Sequence, residues 1–302
     1  MQELMTRLAR NLCGFAALLA ISLLLGWRPL IDTFALALRD DEFTHILLIL
    51  PVSVALVCLE WRSLLPMVAW KAPIGSMLLS LSVLIACTAF VWPTPDVQLA
   101  IRIFALVVWW IGAFVFCFGY RAAQSVLFPL LFLFAMVPLP QVVLGGIVFV
   151  LQQGSVWAAC MLFAAFDIPV AQDVFLISIP GLTLQVAQEC SSIRSSLMLL
   201  VATIVLAHLL LRSPWKKALL ITISLPLSVA KNGLRIFTIA MLGTRVDPGY
   251  LTGRLHHDGG GIFLGIALII VFLLLWLLRR GEGMPFGDSL IQKRIRPAPS
   301  ID

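Results

Sequence analysis

The 302-residue chain is 61% hydrophobic and only 12% charged, with a mean hydropathy of +1.04 and a formal net charge of +6. An ordinary soluble domain carries about a quarter charged residues, so composition excludes a soluble globular enzyme, a disordered chain and a nucleic-acid binder. It leaves a polytopic membrane protein, with room for roughly eight or nine helical spans of about 20 residues each.

The N-terminus places Arg7 and Arg10 ahead of an apolar run over 11–27. No small-x-small cleavage site follows it, so the run reads as a retained first helix. A loop at 28–44 holds Asp32, Asp40, Asp41 and Glu42, with the acids at 40–42 suited to capping the next helix. Further apolar runs cover 45–61, 72–92, 99–119, 122–138, 141–166, 191–211, 217–243 and 260–278. With the N-terminus in the cytoplasm, Arg62, Lys71 and Arg121 fall inside, as basic loops prefer. Arg212, Lys216, Lys217, Arg279 and Arg280 also demand the inside, and this holds only if one later run does not cross. The run 141–166, interrupted by Gln152 and Gln153 and preceded by Pro138 and Pro140, reads as that exception, an interfacial or re-entrant helix on the outer side.

The fold expected is therefore an all-α polytopic membrane protein of about eight transmembrane helices. To these the reading adds an outer interfacial helix and a short extracytoplasmic β-hairpin. Residues 1–280 form a single integral-membrane domain and 281–302 a short cytoplasmic polar tail. The hairpin is read at 174–187, where Leu182, Leu184 and Val186 alternate with Thr183 and Gln185 after the turn residues Pro180 and Gly181.

Polar residues inside apolar runs are expensive, and four groups stand out. Glu189-Cys190-Ser191-Ser192-Ile193-Arg194 opens a helix, where the positive end of the dipole favours a thiolate on Cys190 and Arg194 would add to it. The alternative is an ordinary capped helix start with Cys190 as filler. Lys231-Asn232-Gly233-Leu234-Arg235 sets two cations one turn apart within a span, suited to a carboxylate or a developing oxyanion. The alternative is a snorkelling arginine paired with an acid elsewhere. His256 and His257, before Asp258 and three glycines, offer a general base or a flexible water-exposed loop. His45, at the start of the second span, is a candidate supporting residue. Cys13, Cys58, Cys87, Cys117 and Cys160 lie in or beside apolar runs as small packing residues. No spacing calls for a metal or a cofactor.

In this order and spacing, the chain resembles the exosortase/archaeosortase family of multi-pass membrane transpeptidases. The resemblance rests on Phe128 through Pro140, Glu189-Cys-Ser-Ser-Ile-Arg194, Asn232-Gly-Leu-Arg235, the stretch from His256 to Gly265, and Phe43-Thr-His45. It implies a cysteine peptidase/transpeptidase acting on membrane-anchored proteins with a C-terminal sorting signal, a short motif (Pro-Glu-Pro in many substrates) followed by a hydrophobic helix and a basic tail. It implies transfer to a cell-surface acceptor and a link to exopolysaccharide production.

Carried over, Cys190 is the nucleophile, Arg235 the electrostatic stabiliser and His256 the histidine, by its spacing to Gly260 and Phe263. His257, Arg194, Asn232, Glu189 and His45 are candidate supporting residues. Ser192 stands where many members carry glycine and Gly261 where many carry an aromatic residue, which marks a divergent subgroup. The location implied is the bacterial plasma membrane, with both termini cytoplasmic and the site extracytoplasmic. Lipid and substrate protein are the partners, and no nucleic acid is expected. Two other readings compete: a transporter or flippase for a polysaccharide or lipid-linked precursor, and a membrane acyltransferase that uses a histidine without Cys190.

Overall fold

A computed structural model describes residues 2–64, 73–186, 193–251 and 260–281. Ten helices occur among them: α1 (Gln2–Arg39), α2 (Ile46–Leu64), α3 (Pro73–Thr88), α4 (Pro95–Phe118), α5 (Tyr120–Ser125), α6 (Leu127–Phe132), α7 (Gln141–Ala165), α8 (Ile193–Leu210), α9 (Pro214–Arg245) and α10 (Gly260–Arg280). Eight are long and apolar enough to cross a membrane; α5 and α6 are not. Three short strands, β1 (Ala171–Asp173), β2 (Leu176–Ile179) and β3 (Leu182–Gln185), follow α7. The class and the number of spans agree with the sequence. The chain divides into two compact units within the first turn of α7, at Gln141/Val142.

In the first unit, α4 is the central helix, with Ile103, Val107, Ala113 and Cys117 fully buried. It packs against α3 through small residues that let backbones approach. A Cβ added to Gly75 would lie 2.5 Å from the Phe116 Cα, and one on Gly112 3.0 Å from the Leu78 Cβ. Two indoles tie α4 to α1: Trp109 Nε1 donates to the Leu18 carbonyl and Trp110 Nε1 to Ser22 Oγ, both at 3.0 Å. Helix α1 runs to Arg39, twelve residues beyond the end expected from its first apolar run. It passes through Pro29 because Leu30, Thr33 and Ala37 continue a buried face at helical spacing. The expected loop at 28–44 is thus mostly helix. Only its end is not, where the Asp40 carboxylate accepts from the Glu42 amide at 3.0 Å and caps the turn Asp41–Phe43.

The run 122–138 is not the continuous span the sequence suggested. Gly119, at φ 89°, ends α4 with its N–H on the Val115 carbonyl, and the chain turns back. It then proceeds through α5, a break at Val126, α6 and a 3-10 turn over Leu133–Met136. At the far end the Gln141 N–H donates to the Asp96 carboxylate at 2.9 Å, beside the first residue of α4. The broken segment therefore runs back along α4. Broken helices persist in apolar surroundings where protein covers them, and Ala122, Val126, Leu130 and Met136 are buried.

In the second unit, the run read as an interfacial helix, 141–165, forms a helix long and apolar enough to cross a membrane. It is 25 residues long and meets α9 with numbers rising together. Gly154 sits against Val229, Gly233 against Ala158, and the Phe163 ring lies 5.0 Å from Phe237. The two helices run parallel. Gln152, which argued against a span, is buried and donates its amide to the Val186 carbonyl, so protein satisfies it. Helices α8 and α10 pack on α9 around Leu199, Leu220, Ala267, Val271 and Leu275. The expected hairpin is present as β2 and β3, paired from Ile179↔Leu182 to Leu176↔Gln185. Gly181, at φ 83°, supplies the turn after Pro180. β1 adds a third antiparallel strand, giving the order β1-β2-β3. Its residues Ala171-Gln172-Asp173 are all exposed and carry no alternation that would announce a strand.

Candidate active site

Helix α9 carries the core of the site. Its residues Lys231, Asn232, Gly233 and Arg235 are all buried, with Asn232 at 1% and Arg235 at 8% exposure. A helix advances 100° per residue, so these four positions point to different neighbours. Asn232 reaches α7 and donates to Ser155 Oγ at 2.9 Å. Ser155 in turn donates to its own Leu151 carbonyl at 2.6 Å. Lys231 reaches α8 and donates its ammonium to Ser195 Oγ; one turn earlier, Ser228 Oγ donates to Ser196 Oγ. Gly233 presses on Ala158 and leaves no room for a side chain. The polar seam thus locks α9 to both neighbours within little more than a turn.

Arg235 faces the sheet. With Leu184, Gln185, Val186, Ile236, Ile239 and Leu251 it walls a cavity of about 50 Å³. Two segments border this cavity. Val186 directly follows β3, four residues before Cys190; Leu251 ends the 3-10 turn Pro248–Leu251, five residues before His256. Val186 is fixed twice, by its N–H on the Phe175 carbonyl at 2.8 Å and by the amide of Gln152 on its own carbonyl. Leu251 is fixed by packing onto Gly243, where an added Cβ would fall 2.5 Å from its Cδ2. The chain after Cys190 is held as well, since Ser195 in the first turn of α8 takes the Lys231 ammonium.

Of the residues singled out in the sequence, Cys190, Glu189, His256 and His257 lie outside the described residues. Arg235 and Asn232 belong to one buried stretch of α9, facing the cavity and α7 respectively. Arg194 is exposed at the start of α8. His45 is buried, at 8% exposure, in the first unit, where its carbonyl accepts from the Leu48 amide at 3.1 Å as α2 begins. Sequence reasoning missed Gln152, Ser155 and Ser195 as partners of the site. A signal existed for Gln152: an amide within an apolar helix requires a hydrogen-bond partner. Serine gives little such signal, because a helical serine can bond to the preceding turn of its own backbone.

Fold and site together define a multi-pass membrane protein with a buried cationic wall at one end of its second helical unit. A family model for transmembrane exosortases matches residues 35–273, most of the chain, and the protein belongs to that family of membrane cysteine transpeptidases. No curated protein and no solved structure matches the chain.

Proposed function

We propose that the chain cleaves the C-terminal sorting signal of exported, membrane-anchored proteins and passes the acyl group to a cell-surface acceptor. The observation that carries this reading is the cavity of Arg235, bordered by Val186 and Leu251. Those are the residues from which the chain leads to Cys190 and to His256. The Cys190 thiolate attacks the peptide carbonyl after His256 takes the thiol proton. The carbonyl oxygen gains negative charge, which the Arg235 guanidinium stabilises. His256 returns the proton to the leaving amine, the C–N bond breaks, and a thioester remains on Cys190. The acceptor nucleophile then attacks the thioester and releases the thiol. Asn232 supports Arg235 by fixing the rotation of α9, while Arg194, Glu189, His257 and His45 are supporting candidates.

β3 lies at an edge of its sheet and ends at the cavity. An extended substrate segment adding to that edge would gain main-chain hydrogen bonds and lead its carbonyl towards Cys190. The substrate signal is of the Pro-Glu-Pro type or a divergent relative, in a cell that makes exopolysaccharide. The membrane is the bacterial plasma membrane. Lys216 donates to the Leu278 carbonyl at 2.8 Å, so Lys216 and Lys217 at the start of α9 and Arg279 and Arg280 at the end of α10 gather at the end of this unit away from Arg235. By the positive-inside preference that end is cytoplasmic and the site extracytoplasmic.

The test is co-expression with a surface protein bearing such a signal, following its C-terminus by gel shift and mass spectrometry. Cleavage is expected with the wild-type enzyme and none with Cys190→Ala at matched membrane levels. Cleavage that survives the substitution refutes the thiol mechanism.

A further inference from the structure

The first unit holds a second cavity, larger than the one at Arg235. It measures about 380 Å³ and lies where α1 ends and α4 begins. Asp32 and Arg102 both line it. Asp32 stands seven residues before the end of α1 and Arg102 seven after the start of α4, each about 10 Å along its helix at 1.5 Å per residue. The antiparallel packing of α1 on α4, with Gly26 against Leu106 and Trp110 on Ser22, brings the two to the same level.

They are not paired with each other. Among the described residues, Arg102 reaches only Gln98 Oε1, at 3.4 Å, and the face of Phe90, at 5.5 Å. Among the described residues, Asp32 has no hydrogen-bond or ion-pair partner. The cavity's other carboxylate, Asp96, is already occupied by the Gln141 N–H. Gln98 donates its amide to the Trp92 carbonyl at 2.7 Å, which turns its oxygen towards Arg102.

Asp32 is exposed and Arg102 half-buried on their candidate spans, and ionisable residues within spans mark function. A ligand bearing only negative charge would be repelled by Asp32 and Asp96, and one bearing only positive charge by Arg102. A ligand bearing both signs satisfies both. We propose that this cavity holds the headgroup of a zwitterionic phospholipid of the phosphoethanolamine type. Its phosphate sits on the Arg102 guanidinium, whose planar fork suits two phosphate oxygens. Its primary ammonium sits on Asp32.

A membrane lipid fits better than a soluble molecule because Leu36, Phe43, Leu99 and Leu139 give the wall an apolar part for the chains next to the headgroup. Beside it, Phe90 and Trp92 are 79% and 50% exposed, aromatic residues of the kind that mark the level of lipid headgroups. The site uses none of the residues assigned to peptide cleavage and stands whether or not Cys190 is a nucleophile.

The test uses the full chain purified in detergent, with lipid binding read by native mass spectrometry and by thermal shift. Short-chain phosphatidylethanolamine, phosphatidylglycerol and free phosphoethanolamine are compared. The wild type is expected to bind phosphatidylethanolamine about tenfold more tightly than phosphatidylglycerol, the usual scale for one charge-assisted contact. Asp32→Asn should abolish that preference while leaving phosphatidylglycerol binding no weaker. Arg102→Gln should weaken both lipids, whereas Arg102→Lys, which keeps the charge, should retain the preference. Size-exclusion profiles of each variant define the folded fraction to which binding is referred. Equal affinity of the wild type for the two phospholipids overturns the proposal, as does a preference that survives Asp32→Asn. Free phosphoethanolamine binding as tightly as the lipid overturns the membrane source.

Discussion

Gly233 of α9 lies so close to Ala158 of α7 that a Cβ on the glycine would fall 2.5 Å from the Ala158 Cβ and 3.0 Å from its carbonyl carbon. The clash involves backbone as well as side chain, so a rotamer change cannot relieve it. Gly233→Ala should therefore destabilise the protein by about 1–3 kcal/mol, the usual scale of overpacking. It should also reduce signal cleavage, because Asn232 and Arg235 flank the contact. Adding Ala158→Gly should recover part of the loss. Thermal unfolding in detergent and the cleavage assay check both statements.

The Lys231–Ser195 bond predicts an order of damage. Ser195→Ala leaves a buried ammonium without its hydroxyl acceptor. Lys231→Met removes the ammonium and leaves a hydroxyl that can turn to its own backbone. Ser195→Ala should thus be the more destabilising, with a difference of about 1–3 kcal/mol, the penalty of an unsatisfied buried polar group. Melting temperatures of the two variants, measured side by side, decide it. An equal or reversed order contradicts the bond.

The edge of β3 makes a prediction about substrate binding. Thr183→Pro removes one N–H from a four-residue strand and fixes its backbone. Cleavage should fall while membrane insertion, followed by protease protection, stays unchanged. Thr183→Ala, which keeps the N–H at the same position, serves as the control. Cleavage unaffected by Thr183→Pro would count against strand addition.

The cationic wall separates charge from shape. Arg235→Gln should lower cleavage by about 10²–10³-fold, the range for losing one oxyanion donor. Arg235→Lys should restore part of it, because the charge remains but the planar fork is lost. His256→Ala should abolish cleavage and His257→Ala should leave most of it. Initial rates at matched membrane levels read all four variants, and the opposite histidine result would move the base to His257.

The class, the number of crossing helices and the hairpin were legible in the sequence because each rests on local hydrophobic pattern. Pattern alone misjudged which run is broken. Gln152 and Gln153 made 141–166 look unfit to cross, yet Gln152 has a partner in Val186 that only the tertiary structure supplies. Apolar content made 122–138 look continuous, although Gly119, Pro129, Pro138 and Pro140 were there to be read as breaks. The extension of α1 past Pro29 was hidden by a rule that is sound on average. One missing N–H is outweighed here by a buried face running through Leu30, Thr33 and Ala37. At the site, the chemistry-bearing α9 residues stood out because charge in an apolar run is rare. Their serine and glutamine partners on α7 and α8 did not, since a bond between distant helices leaves no trace in spacing.

The turn at Gly119 bears on how the molecule is made. The pieces that follow it, six residues in α5 and six in α6, are too short to hold together as free helices. They acquire their shape from the face of α4, which leaves the ribosome first. The two therefore enter the bilayer as a single hairpin, with α4 as the template on which its broken partner is laid down.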